Sequence, residues 1–189
     1  RDEMKRLFQV NASMGLMLET TCSLNGHGAV HQFAPSKDPK LRINQIRQAG
    51  ELQVPFTTGL LIGIGETHND RLHALEIIAS LAEEFNHIQE VILQPHALGS
   101  NQKLKPKEDG HGAIPSKSDY ILFGNDAVAE LPRLVKFARE ILPATVQIQI
   151  PPNLILHGGG GEGWHILLQC IENGAGDLGG ISPKDEVNP

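Results

Sequence analysis

The sequence predicts an α/β protein: a parallel sheet whose strands are joined by crossover helices. Two observations carry that expectation. Strand-like apolar runs alternate with helical segments through about four units, and no short hairpin turn separates one strand from the next. Chain length sets the scale. At 189 residues the chain falls short of the roughly 250 that a complete (β/α) barrel takes, so it would supply about the last half of one. A doubly wound open sheet is the other host for such a pattern.

The elements follow in order. The run VNASMGLMLE (residues 10–19) reads as a buried strand ending at an acid, entered almost directly from the first residues. A Gly-, Ser- and Pro-rich loop leads to DPKLRINQIRQAGEL, where Asp38 suits an N-cap, Pro39 the first turn and Gly50 the stop. PFTTGLLIGIGET (residues 55–67) is the second strand. THNDRLHALEIIASLAEEFN is an amphipathic helix with Leu72, Leu75, Ile78, Ala79 and Ala82 on one face. HIQEVILQP is a third strand, and residues 98–119 form a long polar loop with the character of an insertion. AVAELPRLVKFAREIL is a helix that Pro132 must kink or begin. TVQIQIPPNLIL is a strand, HGGGGEG a turn, WHILLQCIENG a helix stopped by Gly174, and AGDLGGIS a last short strand.

Composition excludes some partners. A formal net charge of −6 with no basic stripe argues against nucleic acid or an anionic membrane. No apolar run reaches the roughly 18 residues of a membrane helix, and no signal peptide is evident, so the cytoplasm is the default compartment, an organelle being left open. The chain has no methionine at position 1 and closes on KDEVNP without a terminal helix, so it reads as an excerpt of something longer. Cys22 and Cys170 have no metal-ligand spacing and read as two reduced thiols.

Four motifs invite chemistry. HGGGGEGW, from His157, is like an esterase oxyanion loop, but NASMG around Ser13 lies upstream and lacks the first glycine of a nucleophile elbow. His27 and His31 stand four apart, yet glycines at 26 and 28 rule against a helix, and both read as solvent-exposed loop residues. GIGETHNDRLHAL runs strand, Gly-x-Gly, helix, but His68 replaces the third glycine of a dinucleotide fingerprint. The better match is G-x-I-x-G-x-x-E: Gly59, Leu61 in the isoleucine place, Gly63 and Glu66. Three glycines in a strand weaken it unless something must approach the backbone closely.

That last pattern resembles the adenine-side motif of radical S-adenosylmethionine enzymes. Together with NASMGLMLE, APSKDPKLRINQIRQAGELQVPFTTGLLIGIGET, HIQEVILQ, IQIPPNL and DLGGISP…VNP, it makes the whole chain resemble the radical-SAM deazaflavin synthases. These enzymes form FO (7,8-didemethyl-8-hydroxy-5-deazariboflavin). The resemblance implies the C-terminal portion of one (β/α) TIM-type radical-SAM barrel domain, spanning residues 1–189. It also implies a lyase reaction. A reduced 4Fe–4S cluster splits S-adenosylmethionine, and the 5′-deoxyadenosyl radical attacks a 4-hydroxybenzyl adduct of a ribityl-aminouracil, which closes with loss of ammonia.

By resemblance, Gly59, Gly63, Ile64 and Glu66 flank the adenine, Glu19 meets the ribose or amino group, and Arg42 holds the methionine carboxylate. Gln94, Asn153 and Asp177, near later strand ends, are substrate-side candidates. Implied partners are a small-molecule substrate, the tyrosine-using radical-SAM half, fused or separate, and an electron donor. The family's C-x-x-x-C-x-x-C motif is absent, so the cluster ligands would lie outside this chain, which alone would be inactive. The family's aromatic after the third-strand glutamine is also missing; Pro95 and His96 stand there. Two alternatives remain: another radical-SAM barrel, menaquinone-pathway or biotin-synthase-like, or an inactive barrel fragment.

Overall fold

The computed structural model describes residues 1–96, 117–158 and 162–180. Its elements are α1 (Asp2–Phe8), β1 (Met14–Gly15), α2 (Pro39–Glu51), β2 (Phe56–Ile62), α3 (His68–Phe85), β3 (Ile88–Pro95), α4 (Lys117–Ile141), β4 (Gln147–Gln149), α5 (Pro152–Gly158) and α6 (Gly163–Glu172). The strands form one parallel sheet in the order β1-β2-β3-β4. The α/β expectation holds. Among the described strands the order never reverses, as it must at the switch point of a doubly wound sheet. Crossovers between successive neighbours, right-handed by the general rule, place their helices on one face.

Burial alternates along the strands accordingly. Phe56, Thr58, Leu60 and Ile62 of β2, with Val91 and Leu93 of β3, are buried in the core with Ile46, Leu75, Ile78 and Leu131 from the helices. The opposite face is more open and more polar. Thr57 pairs with Glu90 and Glu90 with Gln147; Gly59 pairs with Ile92 and Ile92 with Gln149. Glu90, Ile92, Gln94 and Gln149 are half-buried there, and Gln147 is exposed.

Local chemistry fixes the helix ends. Asp38 Oδ1 accepts from the Lys40 and Leu41 N–H groups at 2.9 and 3.2 Å, and Pro39 opens α2, a cap worth about 1 kcal/mol. Gly50 does not stop α2, which runs on through Glu51. Its role is packing: a Cβ there would sit 2.5 Å from Phe85 Cγ. Thr67 and Asp70 form a reciprocal capping box at α3, and Asn86 ends that helix with φ 50. Ala74, Leu75, Ile78, Ala79, Leu81 and Ala82 are its buried stripe, with Leu72 partly buried beside it.

Several expectations need correction. The chain opens with a helix, α1, whose Asp2 and Glu3 in the first turn and Lys5 and Arg6 in the last complement the helix dipole. The run at 10–19 contributes only the two-residue β1 and then one bridge, Glu19 to Leu60. Its apolar side chains reflect burial, with Leu18 1% exposed, more than a continuous ladder. PPNLIL is not strand: Pro152 opens α5, as proline suits a first helical position, so Asn153 lies in a helix's first turn instead of at a strand end. Short apolar runs do not separate helix from strand by periodicity.

The last strand shrinks to one bridge, Gln149 to Asp177, after Gly174 turns the chain at φ 108. Pro132 lies inside α4. Of the polar loop expected at 98–119, residues 117–119 begin α4 and the others lie outside the described residues. Of the His157 glycine run, His157 and Gly158 close α5 and residues 159–161 lie outside.

Candidate functional site

Parallel strands deliver their C-terminal ends to one edge, where α/β folds gather binding groups. Here that edge carries Glu19 after β1, Gly63 to Glu66 after β2, and His96 after β3. Asp177 bridges to the end of β4.

The β2 exit is built by glycines in conformations that other residues resist. Gly63 has φ 91 and Gly65 φ 116. The curl folds Glu66 back onto the strand end. Its Oε1 accepts from Gly63 N–H at 2.7 Å and its Oε2 from Ile64 N–H at 2.8 Å. Arg71 Nε donates to the same Oε1 at 2.7 Å. Arg71 Nη1 also donates to Glu130 Oε2, and Glu130 Oε1 meets His68 Nδ1. Glu66, expected to flank the adenine, therefore spends both oxygens on its own loop. Gly59 has a different reason: a Cβ there would lie 2.1 Å from the Ile92 carbonyl oxygen of β3. All three glycines have structural causes that hold with or without a ligand.

At the β1 end Glu19 is buried, 7% exposed, with φ 67, a left-handed backbone unusual for a side chain of its size. It stays in the sheet, donating its N–H to Gly59 O at 2.9 Å and accepting from Leu61 N–H at 3.1 Å. Its Oε1 lies 2.8 Å from Lys37 Nζ and 3.5 Å from Arg42 Nη1, and its Oε2 lies 3.0 Å from His31 Nε2. The His31 approach satisfies distance but not hydrogen-bond geometry, and Glu19 Oε2 and His31 Nδ1 are buried without a hydrogen-bond partner. His31, expected in solvent, is 4% exposed; His27 is exposed as anticipated. Arg42 begins α2 as expected, but its Nε donates to Ser36 O at 3.1 Å and its Nη1 to Met17 O.

Burial shifts the titrating groups. It holds His31 below the ordinary histidine range, against the raising influence of Glu19, and lowers His96 against Glu66. Glu90 is raised, by burial first and then by Asp177, against its Thr57 hydrogen bond. Burial pushes the Cys170 thiol up to about 12, and Cys22 is raised by burial, Asp70 and Glu66. Both thiols are free. Neither environment favours a thiolate ligand. Among the described residues no group of three His, Cys, Asp or Glu side chains could hold a metal ion. No described helix is long and apolar enough to cross a membrane.

The edge thus joins Glu19, Gly59, Gly63, Ile64 and Glu66 on adjacent strands, with Arg42 against Glu19. Gln94 follows on β3, paired with Leu61. Curated sequences give this arrangement a context. Over 190 aligned residues the chain is 50% identical to the 7,8-didemethyl-8-hydroxy-5-deazariboflavin synthase of Trichormus variabilis, matching 99% of this chain and 48% of that protein. The chain is similar from end to end to half of an FO synthase. The synthase of Nostoc sp. is 48% identical over 99% of this chain and 48% of its own length. That of Trichodesmium erythraeum is 47% identical over 100% and 52%. The chain spans about half the length of the curated relatives it matches. No family model matches. An endocellulase of Pyrococcus horikoshii superposes on 84% of this chain and 49% of its own at 16% identity and TM-score 0.42, too distant to bear on the fold.

Sequence reasoning missed Lys37, His31, Arg71 and Glu130. Lys37 had a signal, since it stands immediately before the Asp38 cap that fixes its position. Arg71 lies on the first turns of α3, five residues after Glu66. Glu130 comes from α4, 59 residues beyond Arg71, where spacing says nothing.

Proposed function

We propose that residues 1–189 form the C-terminal portion of a (β/α) radical-SAM barrel that makes FO. On this reading a 4-hydroxybenzyl ribityl-aminouracil adduct closes to the deazaflavin ring with loss of ammonia. The observation that carries it is the near-50% identity to FO synthases along the entire chain. The geometry supports it. Parallel sheets are ordinarily covered on both faces, whereas this singly wound one buries one face and leaves a half-buried, more polar one opposite, as a barrel segment would. The acid-bearing strand end also lies directly beside the glycine motif.

The strand-end groups fit a bound S-adenosylmethionine. Glu19 Oε2 is a buried acceptor without a hydrogen-bond partner, suited to a ribose hydroxyl or an ammonium. Ile64, 8% exposed, offers an apolar wall. Bound there, S-adenosylmethionine supplies a hydrogen-abstracting 5′-deoxyadenosyl group. The chain's own part is positioning: Glu66 fixes the loop, Glu19 orients the ligand, and Gln94, Asp177 and Asn153 offer polar groups for the aminouracil. The 4Fe–4S cluster has no ligand set among the described residues. Its ligands belong, on this proposal, to sequence outside residues 1–189. The tyrosine-using half and an electron donor complete the system, in the cytoplasm or an organelle.

A chimera tests the reading. Residues 1–189 replace the matching half of the Trichormus variabilis synthase, and the reconstituted protein is supplied anaerobically with adduct, reductant and S-adenosylmethionine. FO fluorescence and 5′-deoxyadenosine are expected. A folded, cluster-loaded chimera that forms neither product sinks the proposal.

A further inference from the structure

The open face of the sheet carries polar groups where a barrel interior is ordinarily filled by branched apolar ones. In one row Thr57, Glu90 and Gln147 pair across β2, β3 and β4. In the next, Ile92 pairs with Gln149, which bridges to Asp177. Gln94 lies on the same face four residues beyond Glu90, about 13 Å further toward the strand ends at the usual rise per residue.

Little of this polarity is used within the chain. Thr57 Oγ1 donates to Glu90 Oε2 at 3.3 Å. Among the described residues Glu90 makes no other side-chain hydrogen bond, and the amides of Gln94, Gln147 and Gln149 make none. Two glycines nevertheless keep space for two of these amides. A Cβ on Gly176 would lie 2.7 Å from Gln147 Oε1, and one on Gly179 would lie 2.2 Å from Gln149 Nε2. Gly179 takes φ 64, and its N–H donates to Asp177 Oδ1 at 2.5 Å. Burial first, and then Asp177, draws Glu90 toward its protonated form, in which it donates as well as accepts.

Closing a barrel over this face would take it out of water, and polar groups taken out of water need partners. The FO synthases that this chain resembles are named for a deazariboflavin. A riboflavin skeleton carries a ribityl chain, a polyol in which every hydroxyl both donates and accepts. Amides and a carboxyl set on two strands and at two levels match hydroxyls projecting from both sides of an extended chain. They match the single planar edge of a pyrimidine less well.

We propose that Glu90, Gln147 and Gln149 form a polyol subsite on the open face of β3 and β4. It receives the ribityl chain of the substrate, while the reacting end stays near Gln94 at the strand ends. This rests on the FO synthase reading and deepens it.

Equilibrium binding to the full-length, cluster-loaded protein without reductant provides the test. The ligands are the 4-hydroxybenzyl ribityl-aminouracil adduct and an analogue carrying n-pentyl in place of ribityl. Wild type should bind the ribityl adduct at least about tenfold more tightly than the analogue. Gln149→Met should weaken the ribityl adduct about threefold to tenfold, and Glu90→Leu about tenfold or more. Neither should weaken the pentyl analogue or S-adenosylmethionine. Glu90→Gln keeps a donor and an acceptor and should recover most of the Glu90→Leu loss, with melting curves reporting the fold of each variant. Wild type that binds both adducts alike overturns the subsite and leaves the FO synthase reading standing. So does an equal loss of both adducts in Gln149→Met and Glu90→Leu, since these residues would then shape the face without reading hydroxyls. Wild type that binds neither adduct overturns the FO synthase reading, and the subsite with it.

Discussion

Replacing Glu66 by glutamine separates a loop clamp from a ligand contact. In the folded protein the carboxylate takes Gly63 N–H at 2.7 Å, Ile64 N–H at 2.8 Å and Arg71 Nε at 2.7 Å, with its side chain 1% exposed. A glutamine can keep the two donors that share Oε1, but its amide NH₂ then confronts the Ile64 N–H. One buried donor left facing another costs about 1–3 kcal/mol. Loss of the charge beside Arg71 adds to this, tempered because Glu130 still pairs with that guanidinium, so the total is about 2–4 kcal/mol. For a domain of this size 1 kcal/mol moves the midpoint by about 2–4 °C. Glu66→Gln should therefore melt roughly 5–15 °C lower, and hydrogen exchange should accelerate at the Gly63 and Ile64 amides. Glu76→Gln is the control: its side chain is 60% exposed and pairs with His73 at 3.6 Å, so its effect should stay within about 0.5 kcal/mol. If Glu66→Gln melts within a degree or two of wild type with unchanged exchange, Glu66 does not hold this loop.

Two further outcomes follow from packing and burial. Gly50→Ala would gain helix propensity of up to about 1 kcal/mol, but its Cβ would lie 2.5 Å from Phe85 Cγ. Overpacking of that kind costs about 1–3 kcal/mol, so denaturant midpoints should fall, less so when Phe85→Leu accompanies it; stabilisation by Gly50→Ala alone would refute the contact. His87 is 5% exposed, and burial holds its pKa below the ordinary histidine range, against the raising effect of its contact with the Ile46 carbonyl. The folded state thus resists protonation while the unfolded state accepts it, so the His87 contribution is complete above the unfolded pKa and is lost as pH falls below it. Stability should drop between pH of about 7 and 5.5, and His87→Gln should flatten that limb; an identical slope in the variant would exclude His87 as its source.

How much of this was legible depended on the range of the interaction that fixes each element. Asp38 with Pro39 announces a helix start through bonds within three residues, and α2 lies where that signal puts it. The strand glycines suggested a close approach to the backbone, which holds at Gly59 against the Ile92 carbonyl, whereas Gly63 and Gly65 are needed for their left-handed φ. What failed was decided at a distance. Gly50 looks like a stop until Phe85, 35 positions away, is packed against it. Apolar 10–19 looks like a long strand until its position at the sheet margin leaves one short paired stretch. PPNLIL is apolar enough for either state, and only the position of Pro152 at a helix start favours one. His31 looked solvent-bound because Gly26 and Gly28 argue against a helix there, yet its ring is buried beside Glu19.

The motif's logic changes once its acid is seen to serve its own loop. If Glu66 met the ligand directly, the glycines would be explained by the ligand, and valine at Gly63 would test the site. With φ 91 at Gly63, valine instead forces a strained backbone whatever lies nearby, so its failure would say nothing about adenine. The groups still able to recognise a ligand are the ones the loop does not consume: the Ile64 side chain and the buried Glu19 Oε2, held one strand over by Gly59 O and Leu61 N–H. Glu66 and Arg71 make the shape; on the proposed reading, Glu19 supplies the ligand contact. That division separates the experiments as well, since a loop variant should register first in melting and exchange, and a Glu19-side variant first in ligand affinity.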